Sequence, residues 1–130
     1  MASNRHKLTE GILRDLDKKP RKTQKPNFYE KVYELVMQIP YGKVTTYGAI
    51  AETIGMKGSS RMVGQALGAL PDESDVPAHR VINHFGALSG AHKFGGYDQM
   101  RALLRKEGVT FKAELVNMEK HFWQPQKHGR

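Results

Sequence analysis

Thr46-Tyr47-Gly48-Ala49-Ile50-Ala51-Glu52-Thr53-Ile54-Gly55-Met56-Lys57-Gly58-Ser59-Ser60-Arg61-Met62-Val63-Gly64-Gln65-Ala66-Leu67 holds two short helical patterns joined by a glycine-containing turn. Thr46 is placed to cap the first, Tyr47 to Ile54, with Ala49, Ile50 and Ile54 turned inward, and Gly55 supplies a left-handed stop. Ser59 or Ser60 is placed to cap the second, which runs to about Leu70 with Val63, Leu67 and Leu70 as its core stripe. Two such helices at this spacing form a helix-turn-helix pattern. The second helix is unusual in content: Gly64, Ala66, Gly68 and Ala69 leave much of its outer face bare. Glycine inside a helix costs about 1 kcal/mol against alanine, so two of them want a reason. The physical reason is close approach of another backbone, either DNA or a neighbouring helix. Arg61 stands at the start of this helix, where a recognition helix places its base-contacting residues.

Upstream, Asn27 with Glu30 three residues on is a capping-box start, and Phe28, Val32, Leu35, Val36 and Ile39 mark one helical face. That helix stops at Pro40-Tyr41-Gly42, and Val44-Thr45 is a brief extended link. Residues 1–26 carry eight Lys+Arg against three Asp+Glu, +5 of the net +8. They read as a basic arm: Leu8, Ile12, Leu13 and Leu16 have helical spacing, and Lys18 to Pro26 has no apolar residue and two prolines. The arm is either a linker that meets phosphates or a solubilising tail.

Downstream, Pro77-Ala78-His79-Arg80-Val81-Ile82-Asn83 follows a polar loop from Pro71 to Val76. His79 and Arg80 stand between a proline turn and apolar residues. Polar groups that leave water need partners, so this pair belongs at an organised site. Ala78 is the odd member, a methyl group where such a site would carry a reactive or stacking side chain. A glycine-punctuated loop follows (Gly86, Gly90, Gly95, Gly96) with His84, His92, Lys93 and Phe94 on it. Asp98 is expected to cap a helix from about Gln99 to Lys106 with Met100, Leu103 and Leu104 buried, closed by Glu107-Gly108. Val109 to Val116 is short and partly extended, and in the tail, Asn117 to Arg130, Phe122 and Trp123 are expected to pack back on the domain.

The chain of 130 residues suits one folded unit: arm 1–26, folded domain 27–116, tail 117–130. A net charge of +8 favours polyanions, nucleic acid first and an anionic membrane surface second. No apolar run approaches the roughly 20 residues of a membrane span, and the first residues lack the apolar core of a secretory signal. Cysteine is absent, which excludes disulfides, thiolate ligands and a thiol nucleophile and fits an intracellular setting. The six histidines are scattered, so neither a metal nor another cofactor is expected, and there is no phosphate-binding loop or dinucleotide fingerprint.

Three segments resemble the C-terminal DNA-binding domain of the O6-alkylguanine-DNA alkyltransferases (methylated-DNA–protein-cysteine methyltransferases): Ile39 to Gly48, Ser60 to Leu67, and Val76 to Asn83. All three in this order and spacing are highly specific, and the likeness runs from Phe28 to about Gly108. Pro77 to Val81 resembles the Pro-Cys-His-Arg-Val signature with the cysteine missing. The chain looks most like the alkyltransferase-like proteins, which lack that cysteine and usually carry tryptophan there; alanine departs from both.

The resemblance implies a mainly α fold with a small β element, a winged-helix-like helix-turn-helix domain that binds the minor groove. It implies DNA contacts from Thr46, Tyr47, Ser60, Arg61, Gly64, Gln65 and Gly68, with Arg61 entering the base stack and Tyr47 pushing the 3′ phosphate. It places Tyr47, Val76, Pro77, Ala78, Arg80, Lys93 and Phe94 around a lesion pocket. His79 and Glu107 match an activating relay, here a remnant that braces the pocket wall, so no catalytic residue is expected. The family's asparagine hinge is not recognisable in Leu70 to Ser74, and Lys93 falls where the family has a pocket tyrosine. The function implied is a non-enzymatic sensor, a monomer in the cytoplasm, nucleoid or nucleus. It would bind duplex DNA at O6-alkylguanine, flip the base and flag it for nucleotide excision repair proteins. The alternatives are an alkyltransferase inactivated by an engineered Cys-to-Ala change and a winged-helix DNA-binding regulator.

Overall fold

A computed structural model describes residues 27–126. The chain enters on a reciprocal cap: the Asn27 side chain accepts from the Glu30 amide at 2.8 Å, and the Glu30 carboxylate accepts from the Asn27 amide at 3.1 Å. Helix α1, Phe28–Val36, turns Val32, Leu35 and Val36 inward. Its exit passes through Gly42, where φ is +85° and a Cβ would lie 3.0 Å from the Glu107 carbonyl, so both conformation and space call for glycine. Strand β1, Thr45–Thr46, leads at once into α2, Tyr47–Thr53, because the Thr46 hydroxyl accepts from the Ala49 amide at 3.0 Å. After a turn through Gly55 and Gly58, both at positive φ, α3 runs from Ser60 to Gly68. The three helices pack on one another around Val32, Val36, Ile39, Ile50, Val63 and Leu67.

A 3₁₀ turn, Ala78–Arg80, delivers the chain to β2, Val81–Ile82, which pairs parallel with β1 in the register Thr45↔Val81 and Thr46↔Ile82. Alternation along β2 sends Val81 to the helical core and Ile82 to a second core with Val44, Leu88, Met100, Leu104, Val109 and Val116. A second 3₁₀ turn, Ala91–Phe94, precedes α4, Tyr97–Lys106. An antiparallel hairpin of β3, Phe111–Lys112, and β4, Leu115–Val116, then leads to α5, Met118–His121. The last described stretch is stitched to the centre of the fold: the Val44 amide donates to the His121 carbonyl at 3.0 Å and the Trp123 amide to the Val44 carbonyl at 2.8 Å.

The architecture is mainly helical with two small sheets, and α2 and α3 form the helix-turn-helix. Several local expectations are corrected. Helix α3 ends at Gly68, and Leu70 is only half-buried, because Pro71 disfavours helical conformation in the residue before it. Ala66 faces the core, and its carbonyl accepts from the Tyr33 hydroxyl at 2.6 Å. Ser59 occupies the cap position of α3 without a side-chain bond. Gly96, at φ +108°, precedes α4 in place of Asp98, which sits in the first turn instead. Leu103 is exposed, at the edge of the face that Met100 and Leu104 turn into the core. Ala49 and Ile54 are half-buried rather than buried, and of the tail aromatics Trp123 packs on the helical core while Phe122 is exposed. The basic arm, 1–26, lies outside the described residues.

Candidate nucleic-acid interface

A cleft of about 530 Å³ opens between α2, α3 and the two 3₁₀ turns. Of the residues singled out in the sequence, Tyr47, Ser60, Arg61, Gly64, Gln65 and Gly68 line one side and Ala78, Lys93 and Phe94 the other. Thr46 is buried and spends its hydroxyl on capping α2. Val76 lines a smaller cavity of about 80 Å³ that shares Ala78, Lys93 and Phe94 with the cleft. Pro77, half-buried, starts the first 3₁₀ turn. Arg80 does not line the cleft; its guanidinium points to Glu107, with the exposed Tyr41 ring 5.5 Å away. Leu67, Ser89, Gly90 and His92 line the cleft without having been singled out for it.

The outer face of α3 decides between the two reasons for its glycines. At Gly68 nothing lies within 4 Å of where a Cβ would stand, so among the described residues no neighbouring helix requires the missing side chain. At Gly64 a Cβ would meet only the Tyr47 ring, at 3.8 Å. The face is therefore open to a backbone from outside. Arg61 is exposed in the first turn of this helix and makes no ion pair with any described residue. Its charge is available to a ligand.

Tyr47 stands at the corner where α2 meets the cleft. Burial pushes its phenol above the usual pKa of 10.0, against a hydrogen bond with Ser89 that lowers it. The ring thus stays neutral and brings no negative charge toward a polyanion. The hydroxyl fits tightly against the glycine loop: a Cβ at Gly90 would sit 2.8 Å from it. Gly90 has ordinary backbone angles, so its role is this close approach, a signal that a turn-based reading of glycine cannot supply.

Behind the Ala78 methyl lies a polar network centred on Glu107. The His79 Nε2–H donates to Glu107 Oε2 at 2.8 Å, while Arg80 donates from Nε to Oε1 at 2.9 Å and from a terminal nitrogen to Oε2 at 3.0 Å. The other terminal nitrogen of Arg80 donates to the Ile39 carbonyl at 2.9 Å. Burial pushes the Glu107 carboxyl up, but the hydrogen bonds and charges of Arg80 and His79 outweigh it and hold its pKa below the usual 4.5. The network thus joins the first 3₁₀ turn to the stretch that follows α1 and to the end of α4. Phe94 closes it from the cleft side, edge-on to His79 at 6.2 Å. Asn83 fixes the next turn, its side chain accepting from the Phe85 and Ala87 amides at 2.9 Å.

Among the described residues no group of three or more His, Asp or Glu gathers as a metal site, and no helix is long and apolar enough to cross a membrane. A hollow of this size, with an arginine and a tyrosine at its mouth and apolar walls, can hold a flat, uncharged ring lifted from a polyanion. It offers that ring no thiol.

Residues 27–109 match the family model of the 6-O-methylguanine DNA methyltransferase DNA-binding domain. The chain is similar to alkyltransferase-like protein 1 of Schizosaccharomyces pombe, 43% identical over 103 residues, 75% of this chain and 95% of that one. It is similar to a DNA base-flipping protein of Vibrio parahaemolyticus, 40% identical over 100 residues, 75% of this chain and 97% of that one. Its fold matches the crystal structure of S. pombe Atl1 in complex with damaged DNA containing O6-carboxymethylguanine, with a TM-score of 0.67 and 40% identity, over 79% of this chain and all of that one.

Proposed function

The chain belongs to the family of the 6-O-methylguanine DNA methyltransferase DNA-binding domain, in its alkyltransferase-like branch, and from that premise we propose that it senses O6-alkylguanine without repairing it. The protein docks on duplex DNA through α2 and α3. Arg61 fills the space that the damaged guanine leaves, and Tyr47 presses on the backbone at the cleft mouth. The base turns into the cleft against Ala78 and Phe94. The bound lesion is then left for nucleotide excision repair proteins. This role fits a monomer acting wherever the DNA is, with residues 27–116 carrying recognition and the arm, 1–26, adding phosphate contacts.

The single observation that carries the reading is the pairing of an intact His79–Glu107–Arg80 network with a methyl group at residue 78. Nucleophilic repair needs a group that forms a bond to the alkyl carbon while guanine O6 leaves. Alanine has no lone pair and can form no such bond. The network therefore braces the wall of a binding pocket. Flipping costs a few kcal/mol, and a filler for the vacated stack offsets part of it.

Incubation with DNA bearing O6-methylguanine should leave both protein mass and lesion unchanged; alkyl transfer to any residue would end the sensor reading. Arg61→Ala should weaken binding by about 1–3 kcal/mol and remove the fluorescence gain of a 2-aminopurine at the flipped position. Undiminished flipping would make Arg61 a surface charge.

A further inference from the structure

Helix α3 has no basic residue in its own last turn. Its C-terminal carbonyls carry the negative end of the helix dipole and call for a cation. Lys93, from the second 3₁₀ turn, supplies one. Its ammonium donates to the Leu70 carbonyl at 2.7 Å and reaches the Gly68 carbonyl at 3.5 Å, with the Asp72 carboxylate 4.0 Å away. The Lys93 side chain is largely buried, while Asp72 is almost fully exposed. The carbonyls are therefore the partners that hold the ammonium in place.

The turn that carries Lys93 has two other anchors. Gly90 sits against the Tyr47 hydroxyl on α2, and Phe94 lies edge-on to His79. Lys93 adds the third, on α3. The hold matters because packing behind it is incomplete: a cavity of about 80 Å³ lies next to Lys93, bounded by Leu70, Val76 and Ala78.

We infer that Lys93 is a positioning residue that fixes the end of the DNA-facing helix against the wall of the base pocket. Its ammonium does not meet the lesion; it sets the distance between the surface that holds the backbone and the hollow that holds the base. This inference rests on the sensor reading for its consequence, but not for the contact itself. A base turned out of a backbone lying on α3 can enter the cleft only if the two are correctly spaced, so the lysine raises preference for damaged DNA without adding general affinity.

The test uses the full chain as Lys93→Met, which keeps the apolar stem and removes the ammonium, and as Lys93→Arg, which keeps a donor cation. Affinity is measured for one duplex with and without a single O6-methylguanine over a salt series, and amide exchange is followed across α3 and residues 91–94. Lys93→Met should lower the preference for the lesion roughly tenfold, within the usual span of coupling between two sites, while the salt slope on undamaged DNA stays unchanged. Exchange should rise at the end of α3 and in residues 91–94 together, and Lys93→Arg should restore most of both. An unchanged preference overturns the inference even if the melting temperature falls. Equal losses on both duplexes with a shallower salt slope also overturn it, since Lys93 would then be a phosphate contact. If the parent protein shows no preference for damaged DNA, the sensor reading fails, and the exchange data alone judge the tether: unchanged protection refutes it.

Discussion

His79 and His121 are both withdrawn from water and both engaged, yet they use the ring in opposite senses. At His79 the Nε2 nitrogen donates to the Glu107 carboxylate, a charged partner beside the cleft. At His121 the Nδ1–H donates to the Gly42 carbonyl at 3.1 Å, so Nε2 accepts, taking the Thr110 amide at 2.9 Å and the Thr110 hydroxyl at 2.8 Å. The two networks stand back to back, since the Gly42 turn that feeds one packs on the Glu107 carbonyl of the other. A histidine held inside the fold is thus not in itself a sign of chemistry. The first network is charged and ends on a hollow; the second is neutral and ends on backbone at a seam between the start and the end of the fold.

The largest expected effect comes from breaking the charged network. Arg80→Met leaves the largely covered Glu107 carboxylate with His79 alone and should cost about 3 kcal/mol in denaturant unfolding, the low end for a buried pair that loses one partner. The same network fixes a pH dependence. Glu107 has a folded-state pKa below its unfolded value, so its contribution is full above the ordinary carboxylate pKa and is lost as pH falls through the lowered one. Glu107→Gln should therefore flatten the acid side of the stability profile below about pH 4.5. An acid limb as steep as in the parent protein would place the titrating group elsewhere.

The neutral network should matter less and only to stability. His121→Phe leaves the Thr110 amide and the Gly42 carbonyl without their partner, at a cost of about 2–3 kcal/mol. Preference for damaged over undamaged DNA should stay as it is. A lost preference at intact folding would break the contrast, and would make the seam at Gly42 part of the recognition machinery.

Much of this was legible in the sequence, for identifiable reasons. The caps at Asn27 and Thr46, the stripe of α1, and Ile50, Val63 and Leu67 follow local rules, and they set the helix-turn-helix. The third segment announced a polar pair beside an apolar run, and the pair proved to share Glu107. What sequence could not supply was direction across space. Arg80 was expected in the pocket, but its guanidinium is bound by a carboxylate 27 residues away, on the far side of the wall. Lys93 was expected to line the cleft and does, while its ammonium goes to the end of α3. His121 had no local signal, because its partners Gly42 and Thr110 come from two other parts of the chain. Gly90 is needed for a ring that belongs to α2.

The smallest expected effect has the opposite sign and sharpens the contrast from a third side. Thr45 is fully buried in β1, opposite Val81 and between the two cores, and its hydroxyl has no partner among the described residues. The two histidines show how this fold treats a polar group it must bury: each ring nitrogen that lies inside is met. Thr45 breaks that pattern, so its hydroxyl carries a desolvation cost with nothing to offset it. Valine keeps the branched shape that suits a strand and removes the oxygen. Thr45→Val should stabilise the protein by about 1 kcal/mol, the low end of what an unsatisfied buried polar group costs. That gain corresponds to a melting temperature higher by roughly 4–8 °C for a domain of this size. Affinity for damaged DNA should not change, because Thr45 touches neither the cleft nor α3's outer face. A loss of stability would mean that the hydroxyl is satisfied after all, and β1 would then join the two histidine networks as a third polar site that the fold depends on.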